Sequence, residues 1–212
     1  MKKLLFCTSF ILGSILCAQA HPHVFAKTAL EFEFSGNQCL GVWVQWEFDL
    51  MFSLSMLKPV DANRNGKLEE DEVKALYDYG FKNLENYGYF VYIRVGEKRY
   101  HPRRVESFTA WMNGMLMNYR FFVPLERDTL GLSFHIAIFD SSFYTAISFK
   151  EPAVQIQQKT AGAPIPTWRL SPNRDFPIYY NPRGAANDFT VYSKWEPGLE
   201  TAYPQEIHVF FQ

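Results

Sequence analysis

Across residues 24–34 apolar and polar side chains alternate, most clearly at Glu31-Phe32-Glu33-Phe34, the period of a strand buried on one face. Ser35-Gly36-Asn37-Gln38 reads as a hairpin turn, and residues 41–48 return as a second strand with Val42, Val44 and Trp46 on one face. The period then changes. Phe48, Met51, Phe52 and Ser55 fall at helical spacing and predict a short helix over 47–57, with Asp49 in the first turn, where a carboxylate is favoured. The stripe Val73, Leu76, Tyr77, Gly80, Phe81 and Leu84 predicts a longer helix over 70–86, stopped by Gly88. A β-rich block follows: strands over 89–95, over 100–112 broken by Pro102, over 115–125, over 130–139 and over 143–150. Gly96-Glu97-Lys98, Asn113-Gly114 and Asp140-Ser141-Ser142 supply the turns. Short strands at this spacing predict an α+β protein: an antiparallel β-sheet or sandwich carrying a helix–loop–helix insertion over about 47–86.

The last quarter changes character. Six of the twelve prolines fall between Pro152 and Pro182, so residues 151–212 are expected to be extended chain packed on the same domain as residues 21–150. Closing strands are predicted over 189–195 and 206–211, and Trp168, Phe176, Tyr179 and Tyr180 imply that the segment packs against something.

Residues 1–20 have the pattern of a secretory leader. Lys2 and Lys3 are followed by a short apolar run over 4–16 and by the small-x-small site Ala18-Gln19-Ala20. Cleavage after Ala20 would leave residues 21–212 in the periplasm or outside the cell, with no later stretch suited to spanning a membrane. Removing Lys2 and Lys3 from 21 basic residues leaves 19 against 22 acidic, a net charge near −3, which offers no basic field for nucleic acid. Cys7 and Cys17 would leave with the leader, so an intramolecular disulfide is not expected and Cys39 reads as a small buried hydrophobe. Stability must then come from the core, for which 17% aromatic residues are ample.

Two stretches carry chemistry. Residues 61–72, Asp-Ala-Asn-Arg-Asn-Gly-Lys-Leu-Glu-Glu-Asp-Glu, match the calcium-loop pattern D-x-[DN]-x-[DN]-G-x5-E at every fixed position. Ca²⁺ takes six to eight oxygens, so a short loop must wrap it with oxygens at alternate positions. Asp61, Asn63 and Asn65 would supply the first, the Lys67 carbonyl the next, then Glu69 directly or through water, and Glu72 with both oxygens. Gly66 would make the sharp turn, and Leu68 would anchor the loop. Three carboxylates and a single loop imply weak binding, about 10⁻⁴–10⁻³ M. Pro59, which ends the entering helix early, favours the plainer alternative of a metal-free surface turn.

The second stretch is His21-Pro22-His23. In an extended chain residues i and i+2 share a face, so both imidazoles can point one way, and processing would add the His21 amine. Such nitrogens suit Zn²⁺, Ni²⁺, Co²⁺ or Cu²⁺ rather than calcium, the alternative being a solvated terminus that binds nothing. A copper enzyme with an N-terminal histidine brace would need a third histidine, His101 or His135. Both, like His208, read first as hydrogen-bonded structural residues, and Asp140 as a turn cap. No Ser/His/Asp signature, phosphate loop or paired catalytic carboxylates stands out, and no enzymatic activity is expected.

His21-Pro22-His23-Val24-Phe25, Trp46-Glu47-Phe48-Asp49 leading to Phe52-Ser53, the 61–72 loop, and Phe139-Asp140 followed by Tyr144 occur in one order. In this the chain resembles, over about residues 20–150, the bacterial DUF1007 family, described as a periplasmic component-like protein of an uncharacterised ABC-type transport system. The resemblance implies a non-catalytic protein working beside a nickel/cobalt- or zinc-type membrane permease, with His21 and His23 handling the metal. A calcium-stabilised interaction module without any transition-metal role is the other reading.

Overall fold

The computed structural model describes residues 21–125, 133–185 and 187–212. The expected leader, with Cys7 and Cys17, lies outside the described residues, as do Leu130 and Leu132 of one predicted strand. The alternation read at the start of the chain becomes a long hairpin. Strand β1 (Val24–Ser35) and strand β2 (Gln38–Phe48) pair antiparallel, and β1 buries every second side chain, including Leu30, Phe32 and Phe34.

The polypeptide then leaves the sheet through two short helices, α1 (Leu50–Leu57) and α2 (Glu70–Tyr79), and a 3₁₀ stretch (Phe81–Phe90). Asp49 is the N-cap of α1 rather than a first-turn residue. Its Oδ1 accepts from Phe52 N at 3.0 Å and its Oδ2 from Phe25 N at 2.7 Å, which ties the helix start to β1. Ser53 is fully buried; its hydroxyl donates to the Asp49 carbonyl at 2.6 Å and accepts from Met117 N at 2.8 Å. The predicted helix over 70–86 breaks at Gly80, a poor helix former at the centre of its apolar stripe. The strand expected from Tyr89 begins at Val91 instead, because Gly88, Tyr89 and Phe90 all have positive φ. At Gly88 a side chain would collide with the His101 ring, so only glycine fits.

The remaining strands are β3 (Val91–Val95), β4 (Lys98–Tyr100), β5 (Glu106–Asn113), β6 (Leu116–Pro124), β7 (Phe134–Ile138), β8 (Thr145–Gln158), β9 (Thr167–Pro172), β10 (Ile178–Tyr180), β11 (Glu200–Ala202) and β12 (Gln205–Phe210). They form two five-stranded sheets, β5-β6-β2-β1-β8 and β4-β3-β7-β12-β9, with β10 and β11 as a separate pair. The inner faces share one core, in which Phe32 meets Phe134 edge-on at 5.9 Å and Phe34 meets Phe211 at 5.7 Å. The α+β class therefore stands, with sheets that are mostly antiparallel. The exception is β1 with β8, which run parallel. The turn after β7 carries the chain from the second sheet to the first, and β8 enters beside β1 in the same direction.

Proline did not end β8 at Lys150. Pro152 sits where the register against β1 shifts, on an edge strand whose outer side needs no partner, and the strand continues to Gln158. Residues 151–212 thus supply half of β8 as well as β9 and β12, which close the second sheet. The strand expected over 189–195 is not formed; Tyr192 makes one bridge to Tyr179, while Val191 and Trp195 stay exposed. Cys39 is buried, and among the described residues no helix is long and apolar enough to cross a membrane.

His135 of β7 and His208 of β12 face each other across the second sheet, rings parallel at 4.1 Å. Burial, Arg94 and His208 push the His135 pKa down to about 4 against the pull of Glu206. His208 is lowered by burial, Arg94 and Arg169, again opposed by Glu206. A base whose folded-state pKa is depressed favours folding while it is neutral, so the contribution is complete above about pH 6.5 and is lost as the pH falls toward 4. Urea midpoints should therefore drop between pH 7 and pH 5, and the drop should be shallower in His135→Phe. An equal decline in that variant would assign the effect elsewhere. Separately, Ser53→Ala leaves the buried Met117 N–H unpaired and should cost about 1–3 kcal/mol in urea unfolding; a loss under 0.5 kcal/mol would contradict the role given to this hydroxyl.

Candidate metal centre

The chain immediately before β1 is held by one carbonyl. Tyr144 O accepts from His23 N at 2.9 Å and from Val24 N at 3.2 Å. Tyr144 is itself placed by the turn that follows β7. The Asp140 carboxylate, buried, accepts from Ser142 N at 2.8 Å, Ser142 Oγ at 2.7 Å and Thr145 N at 3.0 Å. Asp140 is thus a turn cap, the role its sequence position suggested.

This anchoring brings His21 and His23 together, with ring centroids 4.9 Å apart, and the Tyr144 ring lies 5.0 Å from His23 and 6.0 Å from His21. His21 is only 4% exposed. The Nδ1 atom of His21 and the Nε2 atom of His23 are both buried without a hydrogen-bond partner in the protein. Burial and the neighbouring His23 lower the His21 pKa, while Asp188 and Asp140 pull the other way. The balance favours the neutral ring, the form that ligates metals.

The far wall comes from Gly184, Asp188 and Phe189. A side chain at Gly184 would stand 2.5 Å from His21 Nε2 and 2.7 Å from Asp188 Oδ2, so the missing Cβ is what lets imidazole and carboxylate approach one space. Hydrogen bonds from Thr190 hold the Asp188 carboxyl below its usual pKa, with a smaller contribution from His21. Phe189 stacks on Tyr144 at 4.5 Å and closes the side. Two imidazoles and a carboxylate form a donor set suited to zinc. As placed, no three His, Cys, Asp or Glu side chains among the described residues are arranged to hold a metal ion, so these donors would have to rotate to share one.

The other histidines have separate surroundings. His101 Nδ1 lies 2.9 Å from the Val91 carbonyl and its ring packs on Tyr92 at 4.1 Å, while His135 is taken up by His208. Neither joins the ring contacts of His21, which are with His23 and Tyr144.

Residues 61–72 connect α1 to α2, and their oxygens turn inward on the loop's own amides. Asp61 accepts from Asn65 N at 3.1 Å and Gly66 N at 3.0 Å, Asn63 Oδ1 from Asn65 N at 2.9 Å, and Asn65 Oδ1 from Lys67 N at 2.8 Å. The side-chain amides of Asn63 and Asn65 donate to Glu69, at 3.2 and 2.7 Å. Glu72 is buried and accepts from Ala62 N and Glu69 N, at 2.9 and 3.1 Å. Gly66 has φ +75°, as the sharp turn requires. Leu68 packs partly buried against the core.

Sequence reasoning had no means to add Asp188 and Gly184 to the histidines. They stand more than 160 residues away in a segment with no recognisable motif.

Comparison with known proteins agrees on the family and is silent on chemistry. The chain is 30% identical over 123 residues, 57% of its length and 88% of the relative's, to an uncharacterised 15.5 kDa protein in the trpE 3′ region of Spirochaeta aurantia. The model of a protein family of unknown function matches residues 6–211, and so includes the proline-rich segment beyond residue 150. With nearly its whole length matched, this chain belongs to the DUF1007 family.

Proposed function

We propose that this is a non-enzymatic, secreted or periplasmic metal-handling protein, in which His21 and His23, joined by Asp188, capture a transition metal (Zn²⁺, Ni²⁺, Co²⁺ or Cu²⁺) for a membrane permease. The observation that carries the reading is the meeting of His21 and His23, ring centroids 4.9 Å apart, with His21 Nδ1 and His23 Nε2 buried and unpartnered, while Asp188 approaches the His21 ring at its other nitrogen, Nε2. A buried polar group without a protein partner calls for an explanation, and a bound ion is one that two facing imidazoles admit. Three protein donors would leave a tetrahedral metal one open position, which suits capture and release. The leader pattern supports export, and the permease partner rests on the resemblance read in the sequence, the family itself being one of unknown function. Residues 61–72, on this proposal, bind calcium as a structural ion through Asp61, Asn63, Asn65, the Lys67 carbonyl, Glu69 and Glu72. Support comes from the inward-facing oxygens of that loop, which must exchange amide hydrogens for the ion.

Calorimetry on the chain beginning at His21 should show one transition-metal site. Its affinity should fall at least 100-fold in the His21→Ala/His23→Ala double variant and about tenfold in Asp188→Asn, with the thermal midpoint in the absence of metal unchanged for the latter. Undiminished binding in the double variant would end the proposal. Millimolar calcium should raise the unfolding midpoint by preferential binding to the folded state, and Glu72→Gln should remove that shift. A shift that survives Glu72→Gln would place the calcium elsewhere.

A further inference from the structure

Beside the histidines an apolar cavity of about 250 Å³ shares Asp140, Tyr144 and Phe189 with the surroundings of the candidate metal centre, so it offers no separate site. A second cavity, of about 370 Å³, lies on the outer face of the first sheet and has none of those residues in its walls. Its origin is the irregularity in the ladder between β1 and β8. Phe149 stands opposite Thr28 and Val154 opposite Leu30, so residues 150–153 bulge out against the single residue Ala29. Ala29, with the smallest side chain in its row, leaves the floor open beside its β2 neighbour Gln45.

One wall is a fixed polar group. Arg120 donates to Glu31 at 2.8 Å, and its guanidinium lies 4.3 Å over the Trp43 ring. The Arg120 and Glu31 side chains stay 36% and 25% exposed, so the pair can be reached by a ligand. Glu31 takes only part of the arginine's fork of donors, and both contacts hold the fork in place, which lowers the entropy lost on binding. The opposite wall is the bulge, which presents Lys150, Glu151 and Pro152. Bulges re-aim side chains in this way beside functional sites.

The chemistry of an occupant follows from these walls. Two cations and two carboxylates line the space, Arg120 and Lys150 against Glu31 and Glu151, so no net charge draws an ion. A hydroxyl is both donor and acceptor, so neighbouring hydroxyls can satisfy guanidinium, ammonium and carboxylate together, which a lone anion or cation cannot. Trp43 and Pro152 add apolar surface that suits the C–H face of a ring. The volume falls within the range of about 300–1,000 Å³ typical of small-molecule sites.

We propose that this groove binds a neutral saccharide of one or two rings, its neighbouring hydroxyls shared between the Arg120 fork and the Lys150–Glu151 bulge. The site has no residue in common with the metal centre and should persist when His21 and His23 are replaced by alanine.

Maltose, cellobiose and N,N′-diacetylchitobiose serve as probes, with glycine as the zwitterion that paired charges could hold instead. They are titrated to about 50 mM into the chain from His21 onward, a level that reveals even millimolar affinity. At least one disaccharide should shift the backbone amides of the bulge and the Trp43 indole resonance in ¹H–¹⁵N spectra. Ala29→Leu fills the floor and should weaken that binding about tenfold. Arg120→Lys keeps the charge but loses the fork, and should weaken it about fivefold. No perturbation by any of the three disaccharides, shifts from glycine alone, or binding indifferent to both substitutions would each overturn the proposal. If a melting curve shows that a variant does not fold, the titrations on the unaltered chain decide alone.

Discussion

Strand β1 is hydrogen-bonded along both edges, antiparallel to β2 and parallel to β8, and this double pairing constrains everything else. It fixes which face of β1 is buried, since a one-residue slip against either neighbour would turn Leu30, Phe32 and Phe34 toward solvent. It also fixes where the strand begins. With Val24 opposite Thr145 in the parallel ladder and the Tyr144 carbonyl bonded to His23 N, the two histidines have little freedom to drift from the end of the sandwich. The stretch His21-Pro22-His23, for which a solvated segment was one of two readings, is held against the turn that follows β7, and His21 is buried.

Much of the first sheet was legible because its cause is local. Alternation at residues 31–34, the Asn113-Gly114 turn and the change of period after Phe48 each arise from a few neighbouring side chains, and β1, β5, β6 and α1 follow. The parallel pairing of β8 was not legible. It depends on the chain crossing between sheets after β7, which no side-chain pattern in residues 143–158 encodes. Pro152 was misleading for a related reason: proline forbids one ladder hydrogen bond, and on an edge strand that bond is not required. The long helix failed at Gly80 because hydrophobic spacing reports which face is buried, not whether the backbone stays helical.

The candidate site divides in the same way. His21 and His23 could be singled out because they are adjacent and chemically distinctive. Asp188 and Gly184 could not, since their approach to His21 is a property of tertiary packing. The 61–72 loop is the opposite case. The ligands proposed for it fall within twelve consecutive residues, so sequence alone could name them, and in the structure their side-chain oxygens are bonded to the loop's own amides.

The turn over 139–144 gives these parts a common origin. Asp140 caps it internally, the Tyr144 carbonyl accepts from His23 and Val24, and the Tyr144 ring packs on the histidines. Asp140, Ser142 and Tyr144 also line the apolar cavity, and Phe189, stacked on Tyr144, stands at the edge of both spaces. One buried carboxylate therefore supports the crossing between sheets, the placement of the histidines and one wall of the cavity. This explains why a charge is kept in so apolar a surrounding: each of its oxygens is bonded, and removing it would leave the amides of Ser142 and Thr145 unpaired at the junction of all three.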